Sequence, residues 1–303
     1  MDSTSTSTST STSTSTSTST RSRSRSRSWR WTRSRLAALG LAALCGTAAA
    51  TPANPATPAT LATPANPAGI DWQPLAGGLA IARTETTIGQ FRRFAQATSL
   101  VTLAERRGGG QEYAGGWVTR PGWTWRQPYG PAVPAQDDEP AVHLGFDEAQ
   151  AFCRWAGGRL PTDAEWLRAA YTEQRPQPPT PFVTGRGYPY PTGERPDGAQ
   201  CLGDCGPAAA QRGVARAAGL DRGHGHARTS QTPPGVNGLH DMGGNAWEWV
   251  DEPPGPAPAG AERRTRGGSW WYGAGPMRAD HRQGKPGDTT VVYIGFRCVR
   301  AAP

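Results

Sequence analysis

The first 35 residues of this chain have a composition that no folded domain can use. Serine and threonine alternate without a break over Ser3–Thr20, and Arg-Ser repeats continue to Ser28. A segment without apolar side chains cannot bury enough surface to offset the conformational entropy lost on folding. The sequence therefore predicts a disordered tract and basic flank over residues 1–35, and any fold must lie further along the chain.

A short apolar run follows the basic flank. Leu36–Leu44 is followed by Ala48-Ala49-Ala50, and this order is typical of a secretory signal and its cleavage site. The run is far shorter than the roughly 20 residues that span a bilayer. We expect residues 36–50 to be a signal peptide, and the protein to be exported to the periplasm or secreted, without a stable membrane span after cleavage.

The positive charge belongs mostly to this export segment. Residues 1–50 hold seven Arg and one Asp, a net charge of +6, and subtracting this from +8 leaves +2 for the rest. Such a small excess does not favour nucleic acid as a partner. Residues 51–68 repeat Thr, Pro, Ala and Asn, which predicts a semi-stiff linker. Residues 69–303 form the predicted globular domain.

Four cysteines lie in this domain, an even number that predicts disulfides in an exported protein: Cys153, Cys201, Cys205 and Cys298. Cys201 and Cys205 are close enough in sequence to bridge each other, which leaves Cys153 with Cys298. The alternative is a Cys-His metal site. His224 and His226 could hold a metal with His240, although such a loop pair is more often solvated.

The predicted elements are few and short, typical of an α+β domain with long loops. Apolar spacing indicates helices that begin after Glu85-Thr86-Thr87, at Phe146, and at Thr162, where Thr162 and Glu165 form a capping box. Strands are expected at these runs: Leu79–Arg83, Trp247–Val250, Ser269–Trp271 and Tyr293–Val299. The Gly-, Trp- and Pro-rich stretch Ser99–Pro140 reads as irregular loops.

Three stretches are too specific to arise from composition. They are residues 140–166, residues 237–249, and Arg266-Gly-Gly-Ser-Trp270 with the closing Gly295-Phe-Arg-Cys298. In this order and spacing they resemble the formylglycine-generating enzyme, or sulfatase-modifying factor, family. The resemblance covers residues 69–299 and implies a C-type-lectin-like core decorated with loops. It also implies that Cys153 pairs with Cys298, as the matching cysteines do in the family.

The resemblance implies a calcium site in the loop from Asp241 to Glu248. Its ligands would be the side chains of Asp241 and Glu248 and the carbonyl oxygens of Gly244 and Ala246, the hard oxygen donors that calcium prefers. The alternative is a structural turn that buries the neighbouring tryptophans. Copper is not expected. Copper-using members carry two cysteines after the Gly-Gly-Ser motif, and residues 270–297 contain none.

The residues left in the equivalent cleft suit a peptide, a glycan or a carboxylate-bearing ligand, because aromatic faces stand beside Arg donors. They are Trp247, Ser269, Trp270, Trp271, Arg278 and Arg282, with Ser269, Tyr272 and His281 as candidates for polar catalysis. Trp270 and Arg282 could instead pack the core. We expect a non-copper family member that assists the maturation or modification of an exported protein. The alternatives are a peptide- or glycan-binding module and, less favoured, an oxidase of sulfatase cysteine.

Overall fold

The computed structural model describes residues 66–213, 220, 225–252, 255, 258 and 260–302. The predicted disordered tract, the signal peptide, most of the linker and His224 lie outside these residues. Among the helices of the described part, none is long and apolar enough to cross a membrane.

The helices of the described part begin where their capping residues predict. They are α1 (Ile88–Thr98), α2 (Leu103–Arg106), α3 (Phe146–Trp155), α4 (Asp163–Tyr171) and α5 (Ala208–Arg212). The Thr162 hydroxyl accepts from the backbone N–H of Glu165, and the Glu165 carboxylate accepts from that of Thr162, which confirms the predicted capping box. Thr87 and Gln90 cap α1 in the same way.

Short strands form three sheets. The strands are β1 (Trp72–Leu75), β2 (Leu79–Ala82), β3 (Gln111–Tyr113), β4 (Trp117–Thr119), β5 (Trp247–Val250), β6 (Glu262–Arg266), β7 (Gln283–Pro286), β8 (Ile294–Gly295) and β9 (Val299–Ala301). The described sheets have the orders β1-β2-β9, β3-β4 and β7-β6-β5-β8. Within the last of these, β5 is antiparallel to β6 and parallel to β8.

The structure corrects three of the predicted elements. The stretch Ser99–Pro140 is not entirely irregular, because it contains α2 and the β3–β4 hairpin. The run Ser269–Trp271 is a turn and not a strand, since Gly267 and Gly268 both have positive φ and bend the chain at the end of β6. The run predicted as one strand after Tyr293 is divided into β8 and β9, which belong to different sheets.

The core lies between α1, α3 and the closing segment of the chain. Phe91 of α1, Phe152 of α3 and Phe296 pack against one another with ring centroids 5.4–6.5 Å apart. A disulfide between Cys153 and Cys298 fastens α3 to that segment, and a second joins Cys201 to Cys205. Both disulfides have the predicted pairing.

Candidate functional site

An aromatic group brings together three of the predicted site residues. We call Trp247, Tyr272, His281 and Tyr293 the Trp247 cluster. The ring centroid of Trp247 lies 6.0 Å from that of Tyr272 and 5.7 Å from that of His281, and Tyr272 lies 5.7 Å from Tyr293. Trp247 and Tyr293 are buried, whereas Tyr272 and His281 are partly exposed. The cluster therefore reaches solvent through Tyr272 and His281.

Trp270 and Trp271 do not line an open cleft. Both indoles are buried, with ring centroids 5.1 Å apart, and they connect Tyr293 on one side to Tyr129 on the other. This corrects the expectation that they line a ligand cleft together with Trp247. The physical reason is the turn after β6, which directs these large side chains into the core, where their apolar area is removed from water.

The polar members of the predicted cleft lie in different surroundings. Ser269 is buried, and its hydroxyl oxygen accepts from the backbone N–H of Trp271, so it closes the turn. The guanidinium of Arg278 lies over the ring of Tyr190. Arg282 is exposed, so it does not pack the core. The three side chains thus have different surroundings, although the backbone carbonyl of Ser269 accepts from the backbone N–H of Tyr272, a member of the Trp247 cluster, at 3.1 Å.

His281 has the electrostatic properties of a neutral imidazole. Burial lowers the pKa of His281, and the nearby guanidinium of Arg266 acts in the same direction, although Asp280 opposes them. The backbone carbonyl of His281 also accepts from Arg266, which is held by two hydrogen bonds of 2.6 Å to Asp163 on α4. A fixed backbone and a neutral ring allow His281 to accept a hydrogen bond at neutral pH.

The predicted calcium loop lies in a buried group of charges. Glu248 accepts from the guanidinium of Arg297 at 2.6–2.9 Å and from the indole of Trp166 at 2.7 Å. Asp241 accepts from the Thr232 hydroxyl at 2.6 Å and from the backbone N–H of Ser230 at 3.2 Å.

Glu85 is a third carboxylate in the same region. It accepts from the backbone N–H of Ala246 at 2.9 Å and from the Asn245 amide at 2.7 Å. Burial raises the pKa of Glu85 well above its ordinary value, and the charges of Asp241 and Glu248 raise it further. Arg297 supplies the opposing positive charge. The group is thus richer in buried carboxylates than in buried cations.

The residues of this group fit the chemistry of calcium. Calcium takes oxygen donors and favours several carboxylates, and a bound divalent cation would favour the ionised forms of Glu85 and Asp241, whose pKa values are raised chiefly by burial. Because both oxygens of Glu248 already accept hydrogen bonds from Arg297, an ion at this loop would share that carboxylate. Elsewhere in the described residues, possible ligand atoms of three side chains lie within 4.8 Å of one another: Cys201, Asp204 and Cys205. Its two cysteines form a disulfide.

A hydrogen-bonded chain of buried side chains lies beside Trp270. The Tyr129 hydroxyl is 2.9 Å from Nδ1 of His226, and Nε2 of His226 is 2.9 Å from the Glu139 carboxylate. The Tyr129 and His226 rings stack with centroids 5.1 Å apart. His226 is thus buried rather than solvated. Nδ1 of His240 bonds to the carbonyl of Thr232.

Sequence reasoning missed Glu85, Tyr129, Glu139 and Arg297 as members of these groups. Glu85 precedes a helix cap and Glu139 follows two aspartates, so the local sequence indicates a surface-exposed carboxylate at each position. Only the fold brings them to partners 87 to 161 residues away along the chain. Cavities of about 330 and 430 Å³ open elsewhere on the domain, and neither is lined by the predicted cleft residues.

The fold and the motif residues define a family. The sequence model of the sulfatase-modifying factor enzyme 1-like domain matches residues 72–302. The chain therefore belongs to this family, and its α+β domain has the C-type-lectin-like fold.

Named relatives include enzymes and a protein described as inactive. The chain is 31% identical over 195 residues to the inactive C-alpha-formylglycine-generating enzyme 2 of Mus musculus, an alignment that covers 61% of this chain and 58% of that protein. It is 28% identical over 256 residues to the formylglycine-generating enzyme of Bos taurus, covering 71% and 63%. The chain thus spans about three fifths of the length of these two relatives. Among solved structures, PvdO from Pseudomonas aeruginosa aligns with a TM-score of 0.47 and 19% identity over 74% of this chain and 80% of that one.

Proposed function

We propose that this protein is a non-copper member of its family that assists the maturation of an exported protein by binding a peptide segment of it at the Trp247 cluster. The observation that carries the proposal is the state of the cysteines. All four cysteines of residues 69–303 are joined in disulfides, so the domain has no free thiol to bind copper. A soft ion such as Cu(I) favours paired thiolates. This supports a role without thiolate-bound copper.

The Trp247 cluster supplies the features that a peptide site needs. Two partly exposed rings, Tyr272 and His281, rest against a buried indole. The indole N–H of Trp247 is buried and has no hydrogen-bond partner among the described residues. Because buried polar groups are nearly always paired, an orphaned donor is a natural position for a peptide carbonyl oxygen or a water. Tyr272 and neutral His281 would bind or position the segment. Ser269 contributes through the turn that it closes.

The proposal also includes export of the protein and a bound structural calcium ion. Disulfides persist in oxidising compartments, which supports a periplasmic or secreted location. We infer that calcium, when bound, is held by Asp241, Gly244, Ala246 and Glu248. Its role there is structural. It would hold the loop that enters β5, and thereby fix the position of Trp247.

The first test is the metal content of the purified protein, never exposed to chelator, together with its action on a cysteine-containing peptide. We expect calcium without copper or iron, and no oxidation of the peptide cysteine in air. Stoichiometric copper accompanied by formylglycine in the peptide would show that the protein is an oxidase and overturn the proposal.

The second test asks whether the Trp247 cluster binds peptide. A display library of extended peptides is selected on the native chain, and the recovered peptides are titrated onto Tyr272→Ala, His281→Ala and, as a control, Arg282→Ala. We expect at least tenfold weaker binding for the first two variants and an unchanged Kd for the third. Equal binding by all variants would remove the cluster as the site. If no library peptide binds but glycans bind in a separate titration and the same two substitutions weaken that binding, a glycan-binding module would be favoured.

A further inference from the structure

The β3–β4 hairpin exposes an aromatic face that the core does not use. Tyr113 and Trp117 are directly paired across the hairpin, with ring centroids 5.5 Å apart. They are 44% and 50% exposed. Side chains alternate between the two faces of a strand, so Gln111 and Thr119, also a cross-strand pair, share the face of the aromatic pair. The face therefore carries two large rings and two hydrogen-bonding side chains.

The opposite face of the hairpin anchors it to the domain. Glu112 is buried there and pairs with Arg120 on its own hairpin. The backbone N–H of Gln111 donates to the carbonyl of Thr290 at 2.7 Å, and the carbonyl of Gln111 accepts from Val292 at 3.1 Å. The aromatic face is thus held on a fixed support, although exposing two aromatic rings to water is unfavourable. An exposed face of this kind on a rigid element is typical of a recognition surface.

A cavity of about 240 Å³ opens at the base of Trp117. Its lining is mixed in charge and hydrogen-bonding capacity: Arg107, Gln111, Trp117, Pro286, Asp288 and Thr289. The volume is below the range of roughly 300–1,000 Å³ found for drug-sized ligands, so it suits one ring-sized unit of a longer molecule. Lys285, which is nearly buried, places its ammonium 5.9 Å from the Trp117 ring centroid and supports the indole from the protein side.

The polar groups around this cavity supply both donors and acceptors. The Arg107 guanidinium donates to the Asp288 carboxylate at 2.8 Å, and both side chains are partly exposed. The Gln111 amide and the Thr289 hydroxyl each donate and accept. A sugar hydroxyl does both as well. A proline-rich peptide offers the cavity mainly carbonyl acceptors, since proline has no N–H. The balance of donors and acceptors therefore favours a sugar over a proline-rich peptide.

We propose that Tyr113, Trp117 and this cavity form a glycan-binding site that takes one gluco-configured pyranose of a β-linked chain. A pyranose whose hydroxyls are all equatorial presents C–H groups on both faces and lies flat on an indole. Trp117 supplies that platform, Tyr113, whose ring is inclined at 78° to the indole, would form a side wall beside it, and Arg107, Gln111 and Asp288 would bind the hydroxyls at the edge of the sugar ring. An axial hydroxyl projects from one face of the ring, so such a sugar has one face rather than two to place on the indole. The site is separate from the Trp247 cluster and does not depend on the function proposed for it.

The test is native gel electrophoresis of the full chain in gels that contain hydroxyethylcellulose, a β-linked gluco-configured polymer, or galactomannan, whose sugars carry axial hydroxyls. We expect stronger retardation in the first gel than in the second. Titration calorimetry with cellotetraose then gives the Kd. Trp117→Ala is expected to weaken binding at least tenfold, because stacking on the indole is lost. Val183→Ala, at a residue that is 54% exposed elsewhere, is the control and leaves the Kd unchanged.

Three results would overturn the proposal: no retardation of the native chain by hydroxyethylcellulose, equal retardation of Trp117→Ala, or binding of a synthetic peptide of residues 51–68 in place of the sugar. The peptide tests the proline-rich occupant, because prolines recur at multiples of three in that segment. Asp288→Ala is a second variant that tests the site if Trp117→Ala does not fold. It removes an acceptor from the cavity without touching the aromatic pair, and it too should weaken cellotetraose binding at least threefold.

Discussion

The two disulfides should stabilise the domain to very different extents, since they close loops of very different length. Cys153–Cys298 spans 145 residues and Cys201–Cys205 spans 4. In the chain-entropy model the stabilisation grows with the logarithm of loop length, giving about 5 kcal/mol for the long loop and about 2 kcal/mol for the short one. All four cysteines are fully buried, so the packing cost of replacing each pair by alanine is similar. The difference of about 3 kcal/mol therefore reports the effect of loop length on the entropy of the unfolded chain.

The assay is equilibrium urea unfolding at 25 °C of the native chain and the two double variants, Cys153→Ala/Cys298→Ala and Cys201→Ala/Cys205→Ala. The first should lose about 3 kcal/mol more free energy of unfolding than the second. Its m-value should also rise more, because the unfolded chain without the long-range link exposes more surface. Equal losses within about 1 kcal/mol, or a larger loss for the short loop, would refute the entropic account and point to strain or residual structure.

Three further predictions concern buried groups. Arg297→Met should cost about 3–5 kcal/mol of unfolding free energy, because it leaves the buried Glu248 carboxylate unpaired. Glu248→Met/Arg297→Met should cost less than the single change in the same urea titration, and a larger cost for the double variant would contradict this reading. His143 is buried and its pKa is lowered from 6.5 to about 4, chiefly by burial. Protonation of His143 is therefore less favourable in the folded state than in the unfolded state. The free energy of unfolding should have its full value above pH 6.5 and fall as the pH decreases toward 4, by on the order of 3 kcal/mol in total. Thermal unfolding between pH 7 and pH 4.5 measures this, and His143→Gln should show a smaller pH dependence than the native chain. A Cβ on Gly110 would overlap the His143 ring, whereas one on Gly116 meets no atom within 4 Å. Gly110→Ala should thus lose about 1–3 kcal/mol while Gly116→Ala loses little, and equal Tm values for the two would be inconsistent with this packing.

The helices could be predicted from the sequence because their signals are local. Thr162 and Glu165 lie three residues apart and satisfy each other's backbone, and the apolar spacing of α1 and α3 determines which side faces the core. The cysteine pairing followed from simple spacing. The helix caps and the Cys201–Cys205 bridge need only neighbours in sequence, whereas Cys153 and Cys298 were assigned to each other as the remaining pair.

The candidate site was harder to predict because its members depend on long-range contacts. The rings of Trp247, Tyr272 and His281 lie in one aromatic group. Burial of Trp270 and Trp271, however, follows from two glycines with positive φ after β6, which the aromatic run itself does not indicate. The exposed hairpin pair was missed for the opposite reason. Its alternation over two strands of three residues is too short to be recognised within a stretch rich in Gly and Trp.

The pairing of β2 with β9 joins two segments that are far apart along the chain. Leu79 lies opposite Ala301 in this ladder, and the closing residues also bring Arg297 to Glu248 and Cys298 to Cys153. A polypeptide synthesised from its N-terminus meets Cys201 and Cys205 before Cys298 becomes available. A chain cut before Arg297 would thus lack an edge strand, a buried cation and a disulfide partner at once, and each defect exposes it to proteolysis. Truncation there should therefore be far more damaging than any single substitution within Arg297–Ala301.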